Sequence, residues 1–566
     1  MKKFILSITL CVSFVGVAQN LENKIPSNVQ AVVSVNGDRL QELMSVAEFD
    51  ELDMIKKLFK EVKNDSATTI TSLKDYGFDI SSKAYYFYQT TDSISYHQFI
   101  IKLSDKSLYE NLLSKSKKEK IEKEGDIKNM TDLSGITIWN DNTLLFTGHE
   151  VSNQYFSNTE NYKRHAKDED ESLYEIKKRV GKRWAKAHAL EILNNNNSNS
   201  IINNRSYTKR KDNKAVASYW VNNYGELINN TMKFGLASMF LNPNMDARKF
   251  GYGIDSMWGN IYLDNNEARI TADMEINDGW IKTYKNIYKS KIDQEFFNYF
   301  NQNNVLAYSS ISFNMQGMLE EYPTIIANIY GGIKPQYQEE SDASAETISV
   351  LLDEEAIGEF VTGNMFFVLN DITEKEVTYT TYEYDDDYNR TEVTNTKTEP
   401  MPNFTIMIGS KNKKLVNKLV RLAAKHQLVN PKANYFKLKK NSDIPFDMYF
   451  AFKNEIAFFT SSEKQILDIL KDNINSNTGS HKKMIRNNIS TFYVNGKQLM
   501  HKIPDVSFSK KEREVLNYAK ENLTEAYFTT SRLKGNKIHS EFKMDTPLKH
   551  GNSLKFFLNF LEMAVK

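Results

Sequence analysis

The chain has 566 residues, with 73 Lys+Arg against 72 Asp+Glu, 40% hydrophobic and 12% aromatic residues, a globular balance that excludes a disordered or collagen-like chain. At that length roughly two to four domain-sized units are expected. The net charge of +1 excludes a whole-chain field suited to nucleic acid, and 23 Gly with 10 Pro leave little room for Gly-rich phosphate loops or Pro-rich linkers.

Residues 1–19 read as a signal peptide. Lys2 and Lys3 form its basic start, Phe4 to Val15 its apolar run, and Gly16-Val17-Ala18 its small-residue exit, with cleavage after Ala18 or Gln19. The run is too short for a transmembrane span. Cys11 lies inside it after Leu10, so a lipoprotein is not expected. Cleavage leaves 71 basic and 72 acidic side chains and no cysteine. That excludes disulfides, thiol nucleophiles, Cys-ligated zinc and iron–sulfur clusters. No later window offers about 18 uninterrupted apolar residues, so no transmembrane segment is expected. The expected product is periplasmic or secreted, from a Gram-negative bacterium.

Beyond the leader, one unit recurs: an apolar strand, an Asn, then a helix. It appears at Val35-Asn36, Val221-Asn222, Phe313-Asn314 and Val494-Asn495, with Asn read as the helix cap. A second strand–cap–helix element follows each, with caps expected at Ser104, Asn277, Gly409 and Asp545. A third, Ile136 to Glu150, aligns without gaps on Tyr449 to Glu463, matching Phe146 with Phe459. The reading is α+β: a long-plus-short pair of repeat units, duplicated, with antiparallel hairpins and helices packed on one sheet face. The long units span 25–158 and 303–470, the short ones 214–300 and 488–566. Residues 159–213 hold a charged helix and an Asn/Ser-rich flexible linker, Asn194 to Asn213 being expected to be dispensable. Within 303–470, 336–346 reads as an acidic surface loop and 374–400 as a long exposed hairpin around Asp385-Asp386-Asp387.

At IPSNVQAVVSVNGDRLQELM (Ile25 to Met44) the chain resembles a family of exported Bacteroidota proteins, domain of unknown function 4836. The resemblance implies a large periplasmic or surface α+β protein and supplies no functional residues.

The chemistry-bearing signatures are missing. There is no phosphate loop, no Gly-x-Ser-x-Gly elbow, and Gly251 to Gly259 has the wrong spacing for a dinucleotide turn. Ser114 and Lys117 fit Ser-x-x-Lys only within the low-complexity run SKSKKEK. No two of the nine histidines are spaced as a zinc pair, and His149-Glu150 has Ser462-Glu463 as its repeat counterpart. No catalytic, cofactor-binding or metal residue is therefore nominated, and no cofactor. Along 171–193, Leu173, Ile176, Val180, Trp184 and Ala187 form a stripe among Lys177, Lys178, Arg179, Lys182, Arg183 and Lys186. It reads as a solvated helix packed on the body, peripheral membrane contact being the alternative. The expected function is a non-enzymatic envelope or secreted binding or scaffold protein with an envelope or extracellular partner and no nucleic acid. A periplasmic carrier of an apolar ligand and a hydrolase built from distant acids and His are the alternatives.

Overall fold

The computed structural model describes residues 20–565 apart from 66–68, 133–134, 169, 196, 233–250, 385–389, 440–445 and 505–507. The leader 1–19 and Asp385 to Asp387 lie outside the described residues. The chain divides into two compact units, 1–262 and 263–566, a boundary that falls inside the predicted 214–300 segment.

In the first unit the strands are β1 (Ala31–Asn36), β2 (Lys83–Thr90), β3 (Ile94–Lys102), β4 (Glu122–Glu124), β5 (Ile127–Thr131), β6 (Ile136–Trp139), β7 (Thr143–Val151), β8 (Ala217–Asn222) and β9 (Ile254–Leu263). They pair antiparallel in the order β4-β5-β6-β7-β3-β2-β1-β8-β9. The second unit holds β10 (Glu267–Ile276), β11 (Ala307–Ser312), β12 (Asn364–Tyr384), β13 (Arg390–Gly409), β14 (Val429–Pro431), β15 (Phe436–Leu438), β16 (Tyr449–Lys453), β17 (Ile456–Thr460), β18 (Asn488–Asn495), β19 (Glu525–Ser531) and β20 (Lys537–Asp545). Its antiparallel order is β14-β15-β16-β17-β13-β12-β11-β18-β19-β20-β10. Strands β11 to β19 thus follow the same order as β1 to β9. The class is α+β.

Helices cover both sheet faces rather than one. Leu144 and Leu145 are neighbours on β7, so they point to opposite sides, yet both are buried. On the Leu145 side, with Phe87, Ile100 and Ile138, lies α1 (Leu173–Asn194), which buries Ile176, Val180, Ala185, Ala189 and Ile192. Its approach is close enough that a Cβ on Gly181 would overlap the His149 ring. On the Leu144 side Trp139, Leu103 and Leu113 form a second cluster with Tyr109. The second unit repeats this two-sidedness: Ile456 and Phe458 enter one core, while Ala457 and Phe459 enter the other. An apolar run such as Thr143-Leu144-Leu145-Phe146 fits a strand covered on both faces, not the one-sided alternation expected.

Four further expectations are corrected. First, the Asn/Ser-rich stretch is no free linker: Ser200 and Ile201 are fully buried, Tyr207 nearly so, and Ile201 N donates to Ile25 O at 2.8 Å. Its few apolar side chains point inward, and the asparagines cap short turns: Asn204 Oδ1 accepts from Ser206 N and Tyr207 N. Second, residues 336–346 are helical rather than looped. They lie mostly in α3 (Gln338–Leu351), which follows α2 (Met315–Ile333), because Glu and Ala are good helix formers and only Ala345 needs burial. Third, the caps differ. Asp105, not Ser104, accepts from Ser107 N and Leu108 N, and Asn412, not Gly409, accepts from Leu415 N. Gly409 and Asp545 end strands instead. Of the strand-end asparagines, Asn495 caps with its side chain, whereas Asn36 and Asn314 turn their amides to the carbonyls of Asn213 and Asn286. Fourth, the repeat alignment slips: Phe146 pairs with Phe99 and Phe459 with Ile406, so matching Phe146 to Phe459 puts Lys102, not Ser104, at Gly409. The slip is an even number of residues and keeps the same face.

The hairpin expected at 374–400 is present, its two strands paired from Met365↔Ile408 out to Tyr384↔Arg390 with a bulge between Leu369 and Asp371.

Candidate functional site

The histidines are dispersed among structural contacts. The Tyr86 hydroxyl shares a hydrogen bond with His97 Nδ1 at 2.7 Å, and Tyr308 does the same with His481 Nδ1 at 2.8 Å. His550 Nε2 meets Asn522 Oδ1 at 2.7 Å, and His188 stacks on Tyr96. Two histidines have a carboxylate at the ring: His188, with Glu191 at 3.5 Å, and His539, with Asp273 across the β10–β20 ladder at 2.9 Å. That hydrogen bond raises the imidazole above its usual range against an opposing push from burial. Among the described residues no group of three or more His, Cys, Asp or Glu is placed to hold a metal. Ser114 merely precedes a short helix, Lys115–Lys118.

His149 and Glu150 do lie together in a hollow of about 460 Å³ in the first unit, with Asn153, Leu173, Tyr174, Lys177, Lys178 and Lys182. Its chemistry is basic. Burial pushes His149 below the usual imidazole range, with the Lys182 charge adding to it, so the ring is neutral near pH 7. Burial also lowers Lys177, whose ammonium donates to Asn153 Oδ1.

A second hollow, about 350 Å³, lies wholly in the second unit and is lined mainly by polar groups, with Phe296 and Ile456 among them. Four separate stretches of chain form its walls. The start of α2 brings Asn314, at its cap position, and Gln316; α4 (Glu354–Phe360) brings Glu355 and Glu359; Lys291 and Asp293 precede a short 3₁₀ turn; and the β16–β17 turn brings Asn454 and Glu455. The floor is the start of β12, Asn364, beside the end of β13, Gly409.

Local sequence explains the shape. Lys453-Asn454-Glu455-Ile456 closes a two-residue hairpin with φ of 49° and 59° at its centre, the mirror-image turn that matches strand twist. Gly363 has φ 86°, and a Cβ there would overlap Phe313 O, so the chain can enter β12 this sharply only with glycine. Main-chain bonds lace the walls: Thr362 N to Gly409 O at 3.0 Å, Ser410 N to Glu455 O at 2.8 Å, and Lys411 N to Glu359 O at 2.7 Å. Main-chain bonds therefore hold together the strand ends and turns that carry the lining side chains.

Its electrostatics are mixed. Asp293, Glu355, Glu359 and Glu455 face Lys291 and Lys411 around the rim, and among the described residues none of the six is in an ion pair with another protein group. At the floor Asn364 is 9% exposed, and its buried Oδ1 has no protein hydrogen-bond partner. Such buried acceptors are costly unless something donates to them. The arrangement can hold a small, polar, charged molecule, and no histidine is among its lining residues. Sequence reading nominated none of these residues for a site, and Asn314 and Gly409 entered it only as expected helix caps; the lining comes from positions 290 to 456. The only local signal is the Thr362-Gly363-Asn364 entry, whose glycine marks a forced turn.

No family model matches the chain, and no curated protein matches it. Among solved structures it is similar to TP0453 in several crystal forms. Form IV is 9% identical and covers 47% of this chain and 84% of that chain at a TM-score of 0.22, and form III is 10% identical over 45% and 79% at 0.23.

Proposed function

We propose that the chain is an exported, non-enzymatic binding or scaffold protein of the cell envelope, holding a small charged ligand in the recess of its second unit. The likeness of Ile25 to Met44 to the exported Bacteroidota family, and the descent of the two units from one duplicated ancestor, are part of this reading. The shared order of β1 to β9 and β11 to β19 supports the duplication.

The observation that carries the binding reading is the floor of the recess. A nearly buried Asn364 offers an unpartnered acceptor beneath a rim of unpaired carboxylates and ammonium groups. A ligand with a hydrogen-bond donor at one end and charge at the other would satisfy both, at little entropic cost because the walls are fixed by main-chain bonds. The polar lining favours this over a carrier of apolar ligands. The wide separation of the histidines favours it over a hydrolase.

The test is thermal stabilisation of the purified chain by amino acids, dipeptides and polyamines, alongside Asn364→Leu and a Glu355→Gln/Glu359→Gln variant. A ligand should raise Tm by RT ln(1 + [L]/Kd) divided by the unfolding entropy, and both variants should weaken the rise. Turnover of a glycoside, ester, peptide or phosphoester that survives repurification would overturn the reading.

A further inference from the structure

We infer that α5 (Lys413–Lys425) docks on the surface of an anionic lipid bilayer. From Lys411 to Lys439 the sequence holds nine Lys/Arg and no Asp or Glu, although acids and bases are balanced over the whole chain. The helix buries Val416 and packs Val420 on the Phe450–Ala457 cluster. That contact accounts for one side of it. Leu415, Leu419 and Leu422, at i, i+4 and i+7, form a second apolar stripe that is 36%, 44% and 51% exposed, and Leu428 just beyond the helix is 60% exposed. Lys414, Lys418, Arg421 and Lys425 fall on the flank next to that stripe at helical spacing. Among the described residues none of the five helix cations is in an ion pair.

Charge complementarity selects the occupant. A second copy of the same face would set four cations against four. A nucleic acid would take the cations and leave the leucines in water. An anionic bilayer accepts both, because its phosphates pair with the ammonium and guanidinium groups and its acyl boundary takes the leucines. In α1, by contrast, Ile176 and Val180 of the expected stripe are spent on the core of the first unit with Trp184 packed against it, while Leu173 and Ala187 are exposed; Leu173 is its single exposed leucine, so its lysines lack a neighbouring leucine row. The inference does not depend on a ligand in the recess.

The experiment is flotation of the full exported chain with vesicles of phosphatidylcholine alone and of phosphatidylcholine mixed with phosphatidylglycerol, at low and high salt, with light scattering of the protein alone. Binding should be confined to the phosphatidylglycerol vesicles and should fall with salt. Leu415→Ser/Leu419→Ser/Leu422→Ser should abolish flotation. Lys414→Gln/Lys418→Gln/Arg421→Gln, on side chains exposed enough to leave folding intact, should weaken partitioning on the order of a hundredfold. Lys177→Gln/Lys178→Gln/Lys182→Gln in α1 should float like the parent. Equal binding to both vesicle types, no binding to either, α5 variants that float like the parent, or loss of flotation in the α1 variant would each overturn the inference. So would a dimer in solution that the leucine variant disperses, since the stripe would then belong to a second copy.

Discussion

Replacing Ile201 by alanine tests whether the Asn/Ser-rich stretch is part of the first core. Ile201 is 0% exposed and its amide is tied to Ile25 O at 2.8 Å. Losing three buried carbons there costs about 2–5 kcal/mol, the transfer term plus the cavity left behind. For a unit of this size each kcal/mol moves Tm by roughly 2–4 °C, so a fall of about 6–12 °C is expected for a mid-range loss near 3 kcal/mol. Tyr207→Phe adds a second probe. The Tyr207 hydroxyl donates to Glu22 Oε1 at 2.9 Å inside the protein, and a hydrogen bond to a charged group contributes about 1.5–3 kcal/mol. The assay is scanning calorimetry with tryptophan fluorescence, because Trp220 packs edge-on to Tyr207 at 5.5 Å. Shifts of no more than a degree or two in both variants would refute the reasoning and restore the free-linker reading.

The same carboxylate sets an acid limit. Burial alone pushes Glu22 up, but hydrogen bonds and charge from Lys211, with the Tyr207 and Tyr85 hydroxyls, bring it below its ordinary value. Its contribution is therefore present above the unfolded-state value and lost as pH falls through the lower folded one, so the Tm gap between parent and Glu22→Gln should narrow below about pH 4.5. A gap that stays constant from pH 7 to 3 contradicts this. His539 shows the opposite sign. Raised by Asp273, it stabilises below the ordinary imidazole value and loses that contribution as pH rises through its folded one. By NMR it should titrate above about 6.5, and Asp273→Asn should bring it down. Gln98 is fully buried and neither of its amide atoms has a protein partner, so Gln98→Met should stabilise the first unit by about 1 kcal/mol or more in urea melts. Destabilisation would mean that the amide is satisfied in solution.

The fold class and the hairpins were legible because they rest on local patterns. The Ile136–Glu150 and Tyr449–Glu463 hairpins carry strand alternation around Asn turns, and both appear as the β6–β7 and β16–β17 pairs. What a residue faces across the sheet was not legible. Leu144 beside Leu145 reads as a strong strand, but only tertiary structure shows that a helix covers each side. Composition misled at Asn194 to Asn213: polar stretches without periodicity suggest disorder, yet Ser200, Ile201 and Tyr207 suffice to anchor this one. The recess was invisible for a plainer reason. Its walls come from turns and strand ends scattered from Ser290 to Ile456, where no spacing rule applies. The leucine row of α5 was not singled out, because helical spacing alone does not tell which side of the helix is exposed; Val416 and Val420 carry the burial.

The binding account meets its most direct test in native mass spectrometry of the purified chain. The protein would be incubated with a pool of amino acids, dipeptides and polyamines, beside the Asn364→Leu/Glu355→Gln/Glu359→Gln variant. A recess of about 350 Å³ has room for a ligand of about a dozen heavy atoms. The account predicts that the parent retains one charged molecule of that size with one-to-one stoichiometry and that the variant, folded by circular dichroism, does not. Retention by both proteins alike, or by neither at millimolar ligand, would contradict it.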